Sequence, residues 1–124
     1  MTSIVHLFLL FTLASVSLAA DTAHLRQEED IREAVFRYQF DHNASAQQKN
    51  ANAYCLSVGE KDGDPSDRFM KRFAGHRPPV RKASACIASD RVVDKRTAKP
   101  GLLFRVSIIT WISDTEAKVA GGYY

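Results

Sequence analysis

Two cysteines and one tyrosine–histidine pair are the residues of this chain with the most chemistry to offer. Cys55 and Cys86 are its only cysteines. As thiolates they could attack an electrophile or ligate a metal; in an oxidising compartment they join to each other. Closing a loop of about 30 residues would stabilise a small domain by ~3–4 kcal/mol in the chain-entropy picture. That is a large share of the ~5–15 kcal/mol that holds a typical domain together. Two free thiols buried in neighbouring strands are the alternative. A zinc site would need two further ligands, and His24, His42 and His76 show no ligand spacing to one another or to either cysteine. No metal and no cofactor is expected.

Tyr38 and His42 stand four residues apart, so on a helix they share a face. Together they could line a pocket with a hydrogen-bond donor and a proton-shuttling imidazole. The competing reading is a helix-end histidine near the negative pole of the helix dipole, and a tyrosine that packs on a sheet. Asp41 and His42 are adjacent and point about 100° apart on a helix, which rules them out as a dyad. Ser57, Ser84 and Ser89 lack the pattern of a nucleophile elbow. The Gly59–Gly63 stretch (GEKDG) carries acids that would repel phosphate. Asp62, Asp64 and Asp67 invite a calcium reading but miss the EF-hand spacing, and a helix cap accounts for them.

The elements that must hold these residues begin with an address. Met1–Ala20 has no charged side chain, is apolar from Ile4 to Leu13, and ends in small residues before Asp21 opens a charged segment. This is the layout of a signal peptide, residues 1–20, cleaved after Ala19 or Ala20. It lacks the usual basic n-region, and an uncleaved anchor is the competing reading, at the short edge of what spans a bilayer. Cleavage leaves residues 21–124 as one small domain, secreted or periplasmic, with no stable membrane span. The net charge is +3. It is unevenly spread: Arg68–Lys99 holds ten Lys or Arg against Asp90 and Asp94. Arg68, Lys71, Arg72, Arg77, Arg81 and Lys82 form a candidate basic patch for an acidic polymer, against the plainer reading of a solvated face. No aromatic residue interleaves between Arg77 and Lys99, which speaks against nucleic acid.

Asp21–Asn43 is helical in pattern, with Ile31, Ala34, Val35, Tyr38 and His42 on one face and Phe36 and Phe40 opposite. Aromatics on two sides predict a helix clasped between a sheet and another segment. Asn43–Ser45 ends it and is formally a glycosylation sequon. Ala53–Val58 reads as a strand. Asp64 as cap and Pro65 at the first position open a short helix, closed by Gly75; Pro78–Pro79 force an extended crossing. Ala83–Ser89 and Val92–Asp94 read as strands. Leu102–Ile112 is the strongest strand, with Leu102, Phe104, Val106, Ile108 and Ile112 on one face. Arg105, Ser107, Ile109 and Trp111 lie on the other; Arg105, Ile109 and Trp111 are a candidate contact for a second copy or an envelope partner. A turn at Ser113–Thr115 leads into Ala117–Tyr124, where Gly121-Gly122 allows a bulge. A chain that stops inside a strand predicts either a covering molecule or further strands encoded beyond Tyr124.

Ile31–Asn43 (IREAVFRYQFDHN) and Ile109–Tyr124 (ITWISDTEAKVAGGYY) resemble the first helix and a sheet hairpin of the nuclear transport factor 2-like (SnoaL-like, cystatin-like) superfamily. The whole also resembles small exported bacterial proteins of unknown function. The resemblance covers about 30 residues, and the segment Asn50–Gly101 departs from it. It implies an α+β cone: an N-terminal helix and a short second helix on a curved antiparallel sheet. It also implies a possible isomerase or lyase in which a first-helix tyrosine, here Tyr38, stabilises an oxyanion. No carboxylate falls where the family's base would stand.

The expectation is thus an exported cell-envelope α+β domain that binds without catalysing. Alternatives are a small-molecule isomerase or lyase using Tyr38 and His42, and an electrostatic binder using the basic segment.

Overall fold

The computed structural model of the protein describes residues 3–42 and 46–123, with side chains for 23–42 and 48–123. It divides into two compact units, residues 1–31 and 32–124. The first is the N-terminal run of helix α1 (Ser3–His42). The expected helix terminus and sequon at Asn43–Ser45 lie outside the described residues.

In the second unit α1 contributes its last turns. Arg32, Glu33, Ala34, Arg37 and Gln39 in this stretch are good helix formers. Arg37 Nε donates to Glu33 Oε2 at 2.9 Å, one turn back. The helix ends where the His42 ring N–H donates to the Tyr38 carbonyl at 2.9 Å, satisfying one of the orphan carbonyls of the last turn. Its buried face is Phe36 and Phe40. Of the expected apolar stripe, Val35 packs at the edge of the core, whereas Ala34, Tyr38 and His42 face solvent, with Tyr38 61% exposed. Two phenylalanines one turn apart bury more area than the mixed stripe, so they choose the face.

A four-stranded sheet receives that face. Its order is β2 (Val80–Lys82), β1 (Tyr54–Val58), β5 (Leu102–Ser113), β6 (Glu116–Tyr123). The expected antiparallel sheet is mixed: β1 runs parallel to both β2 and β5, and only β5–β6 is antiparallel. The long segments after β1 carry the chain back before each pairing, and a parallel neighbour requires such a crossover. Phe36 and Phe40 pack with Tyr54, Leu56, Leu102, Phe104 and Val106. After the short helix α2 (Ala46–Asn50) and β1, Phe69 and Phe73, on α3 (Asp67–Met70) and the 3-10 turn Lys71–Phe73, complete the core. The rings meet tilted or edge-on: Phe40 lies 4.9 Å from both Tyr54 and Phe104, and Phe36 6.1 Å from Phe69.

Three local expectations are corrected. Helix α3 starts two residues late, capped by Ser66, whose Oγ accepts from the Phe69 N–H at 3.1 Å. Asp64 cannot cap it because its carboxylate accepts from the Ser84 N–H at 2.8 Å and hydroxyl at 2.5 Å. The strand expected over 83–89 opens as a 3-10 turn, Ala83–Ala85, leaving β3 as Cys86–Ala88. Gly75 does take the left-handed conformation, with φ 79°.

The third correction is the face of β5. Ser107 and Ile112 are extra residues that no β6 residue opposes, so β5 carries two bulges. The first reverses the alternation. Leu102, Phe104 and Val106 point to the helix, but Ile108 and Ile112 are 43% and 52% exposed. Register then puts Ile109 and Trp111, opposite Val119 and Ala117, on the helix-side face with Gly121. Val119 packs against the core. The Ser107 hydroxyl donates to the Ala120 carbonyl at 3.1 Å across the bulge. The glycine tolerates it: a Cβ on Gly121 would stand under 3.0 Å from the Arg105 carbonyl oxygen.

Candidate functional site: a cleft between the main sheet and a cross-linked hairpin

β3 pairs antiparallel with β4 (Val92–Asp94) as a separate small sheet. It lies over the sheet face that the helix does not cover. Three-residue strands bury too little to stay there alone. Cys55, in the middle of β1, is bonded to Cys86 at the start of β3, their Cα atoms 6.3 Å apart. The disulfide packs with Val92 and Leu103 as a second, smaller core. The expected covalent staple is therefore present, and it ties the hairpin to the sheet.

Asp94, at the end of β4, anchors the other side. It is fully buried, 3.5 Å from Arg81 Nε. Its carboxylate accepts from the Thr97 hydroxyl at 2.8 Å and the Arg96 N–H at 3.2 Å. A buried charge with a cation and two donors is satisfied, and such a group fixes the loop around it.

Between hairpin and sheet lies a cleft of about 870 Å³. Leu103, Pro100 and Val92 supply an apolar floor. Ser57 and Arg105 enter from adjacent strands of the main sheet, where register pairs them. Asp62 enters from the turn after β1, in a left-handed conformation at φ 53°. Asp90 and Arg91 come from the hairpin tip. Ser57 is only 1% exposed, and its hydroxyl donates to Asp62 Oδ1 at 3.3 Å. Arg105 Nε forms an ion pair with the same oxygen. The lining thus carries two carboxylates and two guanidiniums around an apolar base, the composition of a site that fixes a small molecule by a few polar contacts.

The candidate residues fall into separate places. Arg105 lines the cleft, whereas Ile109 and Trp111 are on the opposite face, so the bulge divides the expected partner surface. Tyr38 and His42 stack on each other, ring centroids 3.9 Å apart, on the exposed side of α1, and neither lines the cleft. Three of the six residues of the expected basic patch are paired with carboxylates. Arg72 Nη1 donates to Glu33 at 3.1 Å, Arg81 meets Asp94, and Lys82 Nζ lies 2.6 Å from Asp67. Arg68, Lys71 and Arg77 are exposed. Burial alone would raise the Glu33 pKa, but the hydrogen bonds from Arg37 and Arg72 outweigh it and hold the carboxyl below its ordinary value. The Lys82 hydrogen bond likewise lowers Asp67, and Asp67 in return raises Lys82. Among the described residues no three of His, Cys, Asp and Glu gather as a metal site. Asp62, Asp64 and Asp67 each serve a different partner.

Sequence reasoning weighed Asp62 only as a metal ligand and Ser57 only as a nucleophile. The available signal was the register: Ser57 and Arg105 alternate with core residues on the two strands that flank Cys55. Among the described residues no helix is long and apolar enough to cross a membrane. No protein-family model, no curated protein and no solved structure matches this chain.

Proposed function

We propose that this protein is an exported, non-catalytic binding module of the cell envelope, and that the cleft under the Cys86–Asp94 hairpin is its ligand site. One observation carries the reading: the disulfide spends its covalent constraint on holding a hairpin that is too small to pack alone, and the result is an open, largely apolar cleft. Export agrees with the bonded cysteines and with the signal-like pattern of residues 1–20. Within the cleft the polar groups hold one another: Ser57 donates to Asp62, and Asp62 pairs with Arg105. That arrangement supports orientation of a ligand more than attack on one. The isomerase alternative loses support because Tyr38 and His42 lie on the exposed side of the helix, and the acidic-polymer alternative because Arg72, Arg81 and Lys82 are engaged by carboxylates.

The experiment is an amide-resolved NMR screen of the oxidised protein against small molecules that each carry an apolar group and are uncharged, singly charged or zwitterionic. Shifts confined to Ser57, Asp62, Ala88–Val92 and Leu102–Arg105 are expected. Shifts elsewhere, or none, would remove the cleft as the site. Fractionation of expressing cells, with N-terminal sequencing, tests export separately; a product beginning at Met1 in the cytosol counts against it.

A further inference from the structure

We infer that the cleft takes a zwitterion with an apolar side chain, of the free α-amino acid type, its ammonium on Asp62 and its carboxylate on Arg91. The inference rests on the cleft being the binding site. Charge balance selects the class. Four charged side chains line the cleft, Asp62 and Asp90 against Arg91 and Arg105, and they sum to zero. A ligand with one net charge would desolvate both signs while matching only one, and an uncharged apolar ligand would desolvate all four and match none. A zwitterion replaces what it displaces.

The hydrogen bonds select the orientation. Asp62 uses Oδ1 for both Ser57 and Arg105, and its Oδ2, on a half-exposed side chain, is an acceptor at the cleft, as is the Asp90 carboxylate at the hairpin tip. An ammonium donates and cannot accept, so it belongs on Asp62, whose carboxylate Ser57 and Arg105 hold in place. Arg91, on the exposed hairpin tip that lines the same cleft, presents a guanidinium that suits a carboxylate in bidentate geometry. The apolar floor of Leu103, Pro100 and Val92 receives an aliphatic side chain.

The test titrates the full-length oxidised protein with leucine, isopentylamine, isocaproate and isocaproamide, read by calorimetry and by amide shifts. Leucine is expected to bind about tenfold or more tightly than any of the other three, the loss attending removal of one charge-assisted contact. Arg91→Gln should weaken leucine and isocaproate by about tenfold and leave isopentylamine unchanged. Asp62→Asn should do the reverse, weakening leucine and isopentylamine only. Arg91 is exposed, so its variant folds even where loss of the Arg105 partner harms the Asp62 variant. Equal binding by all four compounds would overturn the zwitterion while leaving the cleft as a site. Binding by none would overturn both.

Discussion

Replacing Gly121 with alanine is the sharpest test of the bulged β5–β6 ladder. The new Cβ would fall under 3.0 Å from the Arg105 carbonyl oxygen and 3.1 Å from Gln39 Nε2. The first neighbour is backbone and cannot swing away. The second donates to the Arg105 and Gly122 carbonyls at 3.2 and 3.4 Å, joining α1 to both strands. Overpacking of this kind costs about 1–3 kcal/mol. Each weakened hydrogen bond adds about 0.5–1.5 kcal/mol, and reduced freedom of the unfolded chain returns about 0.4–1 kcal/mol. At the middle of these ranges the net loss is about 3 kcal/mol. For a domain of this size that lowers the melting temperature by roughly 10–25 °C. Gly122→Ala is the control, because nothing lies within 4 Å of a Cβ there; it should change stability by no more than about 0.5 kcal/mol. Thermal melts and urea titrations followed by circular dichroism measure both. If the two variants melt within about 3 °C of each other, the close approach of Gly121 to β5 is wrong, and with it the reversed facing of Ile109 and Trp111.

Other outcomes follow from the packing and the ion pairs. Phe36→Ala, at the centre of the aromatic core, should cost about 3–5 kcal/mol, whereas Ile112→Ser on the exposed face should stay within about 0.5 kcal/mol; equal losses in urea denaturation would contradict the facing described. The Asp64 pKa is lowered from 3.8 by its Ser84 hydrogen bond first, against a smaller opposing effect of burial. A carboxyl lowered in the fold stabilises above its unfolded pKa and loses that contribution as pH falls through the folded value. Ser84→Ala should therefore melt below the parent at pH 7, and the gap should close as pH drops below about 3.8; a gap that is constant with pH would refute the linkage. Cys55→Ala/Cys86→Ala should lose about 3–4 kcal/mol and abolish ligand-induced shifts at Ala88–Val92. Retention of those shifts at full amplitude would show that the hairpin needs no covalent anchor.

Much of this molecule is legible in its residues. The cysteine pair stood out because two sulfurs in a chain expected to be exported have few other uses, and the structure joins Cys55 to Cys86. β1, β4 and β5 were recognisable from β-branched and aromatic runs between turn residues, because local propensity and hydrophobic pattern agree there. Gly75 was recognised as a left-handed cap because little else adopts that backbone cheaply. Phe36 and Phe40 were expected to pack together with the opposite stripe through Tyr38, and only the phenylalanine face is buried. Which face of α1 is buried depends on what packs against it, and the nine buried residues of that core come from segments up to 70 positions apart.

What the chain decides locally is where helices, strands and turns begin, and that two thiols have reason to meet. Only the tertiary structure decided strand direction, the bulge that turns Ile109 and Trp111 over, and the cleft that brings Ser57, Asp62, Arg91 and Arg105 together. The reason is range. Propensity and capping act over a few residues, whereas sheet register, carboxylate partners and the hairpin's position are settled by contacts between segments distant in sequence, where burial and charge pairing outweigh local preference.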